Sequence, residues 1–241
     1  MDPYVLVAAP AGGLWRVAHR RHLTFGFPPP PAALEWSEAH APVHPGGRWD
    51  DPDGVFQTLY CAATPTGALM EALRPLRRPP ERLLRTTAAN RDINAVRGRV
   101  PSCFLPDRLI GQAMTYSQAM FIDVADPHTH NGLPEHVRRV LSWFGVRDVD
   151  RSTVLSDDRR VTRYLARHFF EACQHDELTH VRGLRFESRI APKIECFAVW
   201  NEPSPIDLDT ITTTGIDPTD PAVIDAVAAL GLTVITAPPT T

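Results

Sequence analysis

Phe56-Gln57-Thr58-Leu59-Tyr60-Cys61-Ala62 is followed, after Ala63, by Thr64-Pro65-Thr66-Gly67-Ala68-Leu69-Met70-Glu71-Ala72-Leu73-Arg74-Pro75. The first stretch is short, apolar and rich in residues that favour a pleated surface, so it reads as a buried strand. The second opens with a hydroxyl cap and a proline at the first helical position. Ala68, Leu69, Ala72 and Leu73 then form an apolar stripe at helical spacing, and Pro75 stops the helix. Working outward, Leu14-Trp15-Arg16-Val17-Ala18 reads as a strand with alternating faces. Ala119 to Val124, Val181 to Ser188, and Ile194 to Trp200 read as further strands. Helices are expected over Pro134 to Phe144, with Gly145 as the stop, and from Ser156 or Asp157 through Ala172. Asp220-Pro221 caps another helix that ends at Gly231, and Leu232 to Thr236 adds a last short strand. Short strands between helices of irregular length predict an α+β fold, not a regular βαβ series.

The chain has 241 residues, a hydrophobic content of 43% and a charged content of 22%, ordinary values for a globular enzyme. A formal charge of -3 argues against a dedicated nucleic-acid binder, which carries a strong basic excess. Arg74-Pro75-Leu76-Arg77-Arg78 is a local basic spot that a solvated turn explains. Four scattered cysteines, Cys61, Cys103, Cys173 and Cys196, form no CxxC pair, so buried reduced thiols of a cytoplasmic protein are expected. Tyr4-Val5-Leu6-Val7-Ala8-Ala9 is far short of the about 20 apolar residues of a membrane span, and no other stretch approaches that length. There are 24 prolines, including the run Pro28 to Pro31, which predicts a stiff extended loop. No internal repeat, GxGxxG turn or Walker-type loop is present, so a dinucleotide would bind outside those frameworks.

Chemistry-bearing residues fall in three separated segments. Gly46-Gly47 lets the backbone turn tightly before Arg48, whose guanidinium offers bidentate recognition of phosphate oxygens. The ordinary alternative is an arginine stacked on Trp49 or Trp36. Tyr60 offers a ring to stack on a heterocycle, or else is a core tyrosine. Glu71 is a carboxylate able to steady an oxocarbenium-like charge, or else a solvent-facing helix residue. Ser188, in Arg182-Gly183-Leu184-Arg185-Phe186-Glu187-Ser188-Arg189, is a donor to ribose or phosphate, or an ordinary strand serine. Asp123, Asp126, His128 and His130, with His175 and His180, carry metal-ligating types. Asp-Pro-His-Thr-His-Asn-Gly nevertheless has the composition of a turn.

The order and spacing of these blocks resemble the RES-domain family, named for its Arg, Glu and Ser. The matching features are the Gly-Arg-Trp turn, the Leu59-to-Ala62 strand with its following helix, the Asp158-to-Ala166 helix and the Gly183-to-Arg189 strand. Leu14-Trp15-Arg16-Val17 looks like the family's opening strand. The resemblance runs in blocks over residues 14 to 201, which divides the chain into a RES-like domain, 1–203, and a C-terminal extension, 204–241, packed on the same domain. Three departures stand out. Asp50-Asp51 replaces a commoner Asn-Pro, Phe186 replaces a tyrosine, and Ser102 in Val100-Pro101-Ser102 competes with Ser188.

The resemblance implies a fold related to the ADP-ribosyltransferases, with small mixed or antiparallel sheets flanked by helices and NAD held in a cleft between them. It implies breakage of the nicotinamide–ribose bond by phosphorolysis or hydrolysis, with NAD as substrate, inorganic phosphate as the co-substrate of the first route, and no metal. Arg48, Glu71 and Ser188 would be catalytic, and Arg16, Gly47, Arg48 and Tyr60 would bind NAD. The implied setting is a bacterial toxin–antitoxin pair in the cytoplasm, with an Xre-like helix-turn-helix antitoxin covering the cleft. No direct nucleic-acid or membrane contact is expected, and a homo-oligomer stays open. A protein ADP-ribosyltransferase and a non-catalytic binding module on the same fold remain as alternatives.

Overall fold

The structure is a computed structural model that describes residues 3–27, 47–77, 98–115, 119–175, 180–191, 193–201 and 208–235. The proline run, Trp36, Gly46 and the end of the last expected strand lie outside the described residues.

Ten strands and six α-helices are described: β1 (Leu6–Ala8), β2 (Leu14–His19), β3 (Thr58–Ala62), α1 (Pro65–Leu73), β4 (Arg99–Val100), β5 (Arg108–Thr115), β6 (Met120–Asp123), α2 (Pro127–Asn131), α3 (Glu135–Trp143), α4 (Arg151–Val154), α5 (Arg159–His175), β7 (Val181–Glu187), β8 (Glu195–Trp200), β9 (Leu208–Gly215), α6 (Pro221–Ala229) and β10 (Thr233–Val234). The fold is α+β. One eight-stranded mixed sheet runs in the order β1-β6-β7-β8-β3-β2-β5-β9, and β10 pairs with β4 in a small parallel ribbon. The β6–β7 pair is parallel and the other pairs of the large sheet are antiparallel.

The large sheet is nearly divided in two. β2 pairs with β5 over its whole length, and β3 pairs with β8 over its whole length. Between β2 and β3, however, only Trp15 and Ala62 are in register. Beyond that pair the strands diverge, which turns the expected cleft between small sheets into a wedge within one large sheet. Helix α1 packs across both β2 and β3 and roofs the opening.

Both faces of the sheet centre are covered. In β8, Cys196, Ala198 and Trp200 join the core beneath α5, whereas Phe197 and Val199 join the opposite core with Leu14, Leu59 and Phe121. Period-two alternation thus serves two cores, as a strand buried on both faces requires. Val161, Leu165, Phe169 and Cys173 recur at helical spacing along α5 and face the first core. Burying each of the larger of these side chains contributes roughly 1.5–3 kcal/mol.

α1 begins as its sequence requires. Thr64 caps it, accepting from the Gly67 N–H at 3.1 Å, and Pro65 takes the first turn. Pro75 ends it through a short 3-10 segment, Arg74–Leu76. Leu69, Met70 and Leu73 of α1 share a third core with Val223 and Ala226 of α6 and with Leu230, its C-cap. β9 and α6, both beyond residue 203, are therefore built into the same body as the residues before them.

The segment expected to be a turn at Asp126–Gly132 is a short helix, α2. Asp126 caps it by accepting from the His128 N–H at 2.7 Å, with Pro127 at the first position. The same cap-then-proline signal that marks α1 was present there. Of the four cysteines, Cys61, Cys173 and Cys196 are buried, but Cys103 is exposed. Among the described residues no helix is long and apolar enough to cross a membrane.

Candidate active site

The wedge between β2 and β3 is a cavity of about 430 Å3, within the range of small-molecule sites. Arg16 and Val17 line one wall, Tyr60 and Cys61 the other, and Glu71 descends from α1. Those strand residues are the ones that would face each other had β2 and β3 stayed in register. Residues remote in sequence meet here because the sheet opens.

Glu71 and Ser188 are joined directly. The Ser188 hydroxyl donates to Glu71 Oε1 at 2.5 Å and accepts from the Ile190 N–H at 3.1 Å. Ser188 is buried, just past the end of β7, and its backbone N–H is tied to the Ile194 carbonyl at 2.9 Å. The serine thus holds one carboxylate oxygen in a fixed direction. Neither serine lines the cavity; Ser102 lies exposed in the turn after β4, whereas Ser188 is the one that meets Glu71.

The Gly47–Asp50 turn is clamped to β3 by Tyr60. The Trp49 N–H donates to the Tyr60 oxygen at 2.8 Å, and the Tyr60 hydroxyl donates to Asp50 Oδ1 at 2.7 Å. Asp50 Oδ2 accepts from the Gly47 N–H. A Cβ on residue 47 would stand 2.1 Å from the Tyr60 oxygen, so glycine is required by this close approach. Burial, then the neighbouring Asp50 charge, pushes the Tyr60 hydroxyl well above its ordinary pKa and keeps it a donor.

Arg48 is almost fully buried, with Nη1 3.5 Å from the Val154 carbonyl oxygen. Its pKa is lowered to about 10, first by burial and then by Arg189, Arg74 and Arg159, with Glu71 opposing. The guanidinium remains charged at neutral pH and belongs to an arginine rim with Arg74, Arg159 and Arg189, the last also paired with Asp157, and not to the cavity lining. Arg74 and Arg189 arise from local spacing: one is a helical turn beyond Glu71, the other follows Ser188. The sequence carried those signals, but only tertiary structure groups these arginines with Arg159 at the start of α5.

Arg16 does line the cavity, and its Nε is buried without a hydrogen-bond partner. Burial lowers its pKa, opposed by Cys61. A buried donor left unpaired costs free energy that an incoming acceptor recovers. The Cys61 thiol is pushed up to about 12 by burial, and Cys196 is raised as well, so neither supplies a thiolate.

Asp50 and Asp51, adjacent in sequence, have different fates. Asp51 is buried and accepts from Arg167 at 3.1 Å and from the Val55 and Asp53 N–H groups. Asp50 lines the cavity. The charge expected beside Arg48 is therefore divided, with one carboxylate paired away and one facing the wedge.

Three of the candidate metal ligands do structural work. Asp123 accepts from Arg185 at 3.1 Å, Asp126 caps α2, and the His130 ring nitrogen meets the Val124 carbonyl at 2.8 Å. Among the described residues, no group of three or more His, Cys, Asp and Glu side chains is arranged to hold a metal.

The fold is similar to that in the crystal structure of the M. tuberculosis MbcT-MbcA toxin-antitoxin complex, at a TM-score of 0.44 and 14% identity over 88% of this chain and 87% of that chain. No curated protein matches the chain at a significant level. The RES domain model matches residues 13–220, from the strand that carries Arg16 to the cap of α6, and the chain belongs to the RES domain family.

Proposed function

We propose that the chain is an NAD-consuming enzyme that breaks the nicotinamide–ribose bond, and that it is the toxin of a bacterial toxin–antitoxin pair. The observation that carries the reading is the Glu71–Ser188 hydrogen bond of 2.5 Å at a cavity walled by Tyr60 and Arg16. In such a reaction the C–N bond breaks with its electron pair leaving on the ring nitrogen, so nicotinamide departs neutral. Positive charge develops on the ribosyl carbon. The Glu71 carboxylate, oriented by Ser188, stabilises that charge where it appears. Arg48 and the neighbouring arginines favour the ligand phosphates, Arg16 supplies an unpaired donor, and Tyr60 presents a ring face. An oxygen of phosphate or water then bonds to the ribosyl carbon, and water in that role releases a proton.

The partner under this reading is an Xre-like helix-turn-helix antitoxin that covers the wedge, and the compartment is the cytoplasm, where NAD is held. The test is incubation of purified protein with NAD, with and without inorganic phosphate. Nicotinamide release is expected, and the mass of the second product identifies the acceptor. Folded protein that releases none under either condition removes the reading. Labelled ADP-ribose on a macromolecule redirects it to protein ADP-ribosylation, and a ligand-bound structure without contact from Arg48 or Glu71 favours a binding module.

A further inference from the structure

The cavity and the arginine rim differ in sign. Among the residues lining the cavity, the charged ones are Asp50, Glu71 and Arg16, two carboxylates to one guanidinium. Arg74, Arg159 and Arg189 lie close enough for their charges to act on Arg48, Arg189 being also paired with Asp157, and none of the four lines the cavity. An anionic group is therefore matched by the rim and mismatched by the wedge.

The wedge also has aromatic walls. Trp15, Tyr60 and Phe186 line it, with the Tyr60 and Phe186 rings edge to face at 6.3 Å. Aromatic faces beside a carboxylate are the surroundings that attract a flat organic cation, through the ring quadrupole and through charge. Asp50 is held for this role. Its oxygens take hydrogen bonds from two neutral donors, the Tyr60 hydroxyl and the Gly47 N–H, which fix its direction without cancelling its charge. Asp51, next to it, is instead paired with Arg167.

We infer that the wedge receives a planar, positively charged heteroaromatic group, and that Asp50 is the specificity-determining residue for that charge. Resting on the NAD reading, this makes the pyridinium of oxidised NAD the group in the wedge, leaves the phosphates to the arginine rim, and disfavours the neutral ring of NADH. It also orients the ligand, since the ring must enter first.

The experiment is calorimetric titration of the full chain carrying Glu71→Gln, to suppress turnover, with NAD, NADH and ADP-ribose. Titrations are repeated after adding Asp50→Asn. NAD is expected to bind about tenfold tighter than NADH, and Asp50→Asn to bring the two within about twofold while ADP-ribose moves by less than that. Tyr60→Phe breaks the same turn contact but keeps the ring and the charge, so it is expected to preserve the preference even where it lowers the melting temperature. An NAD-to-NADH ratio that Asp50→Asn leaves unchanged overturns the inference alone. If none of the three ligands binds the folded protein, the NAD reading fails. The charge selectivity is then decided with the cation 1-methylnicotinamide against neutral nicotinamide. A preference for the cation that Asp50→Asn abolishes sustains it, and equal binding overturns it.

Discussion

Two regions of this molecule gather titratable side chains and use them in opposite ways. At the corner formed by the N-terminal segment, α2 and α5, His130, His168, Asp123 and Asp126 each meet a partner within the protein. The His168 ring nitrogen meets the Tyr4 hydroxyl at 2.8 Å and the ring packs against that of His136 at 6.0 Å, while Thr129 accepts from the Val5 N–H at 3.0 Å. In the wedge, by contrast, Arg16 of β2, Glu71 of α1 and Asp50 of the Gly47–Asp50 turn converge on open volume, and Arg16 Nε has no partner. Polar groups satisfied on all sides stabilise a fold. Groups brought together at some cost and left with spare bonding capacity point to a ligand.

The contrast breaks first at Glu71. Glu71→Gln keeps the shape and the bond to Ser188 but removes the charge, so nicotinamide release should fall by about 100-fold or more with little change in melting temperature. Unchanged turnover would move the chemistry elsewhere. Gly47→Ala should come next, because its Cβ runs into the Tyr60 oxygen and the Arg48 turn must shift. A loss of about 1–3 kcal/mol in denaturant melts is expected, with a drop in NAD affinity beyond what the unfolded fraction explains.

The corner should respond to pH and not to substrate. Burial, reinforced by His136, lowers the His168 pKa to about 4, so the ring is neutral in the native protein. Its contribution is full above about pH 6.5, where the unfolded imidazole is also neutral. It declines as pH falls from there towards 4, because only the unfolded state takes up the proton. The expected loss is on the order of 2–3 kcal/mol. His168→Gln should flatten that part of the stability curve, as urea melts across the range would show. The smallest effect is expected for His130→Ala. Losing the bond to the Val124 carbonyl should cost about 1–2 kcal/mol with turnover per folded molecule unchanged. Any dependence of that turnover on added metal or chelator would blur the contrast.

The best-read elements were those whose signals are local. The Thr64-Pro65 and Asp220-Pro221 caps marked α1 and α6, and the alternation of β7 and β8 marked both strands. β5 was hidden because Gly111 interrupts its pattern and no apolar run announces it. β9 was missed for a related reason: its described side chains, from Ile211 to Gly215, are exposed, so no buried face imposed an alternation. α2 has the composition of a turn and its five residues are too few for periodicity, although Asp126-Pro127 carries a cap. Within the site, Arg16, Tyr60, Glu71 and Ser188 were legible from their blocks. Arg74, Arg159 and Arg189 were not, since charges spaced along a chain acquire a common field only when folding brings them close.

Sequence alone determined the cast: a strand ending in Tyr60, a capped helix carrying Glu71, a glycine before Arg48, and a serine at the end of a late strand. Each follows from steric or hydrogen-bonding preferences acting over a few residues. Tertiary structure alone decided that β2 and β3 part after a single register pair, because pairing depends on what covers both strands and not on either strand by itself. That parting creates the cavity, and the same tertiary packing places the Ser188 hydroxyl on Glu71 and leaves one of two adjacent aspartates lining the opening while Arg167 pairs with the other.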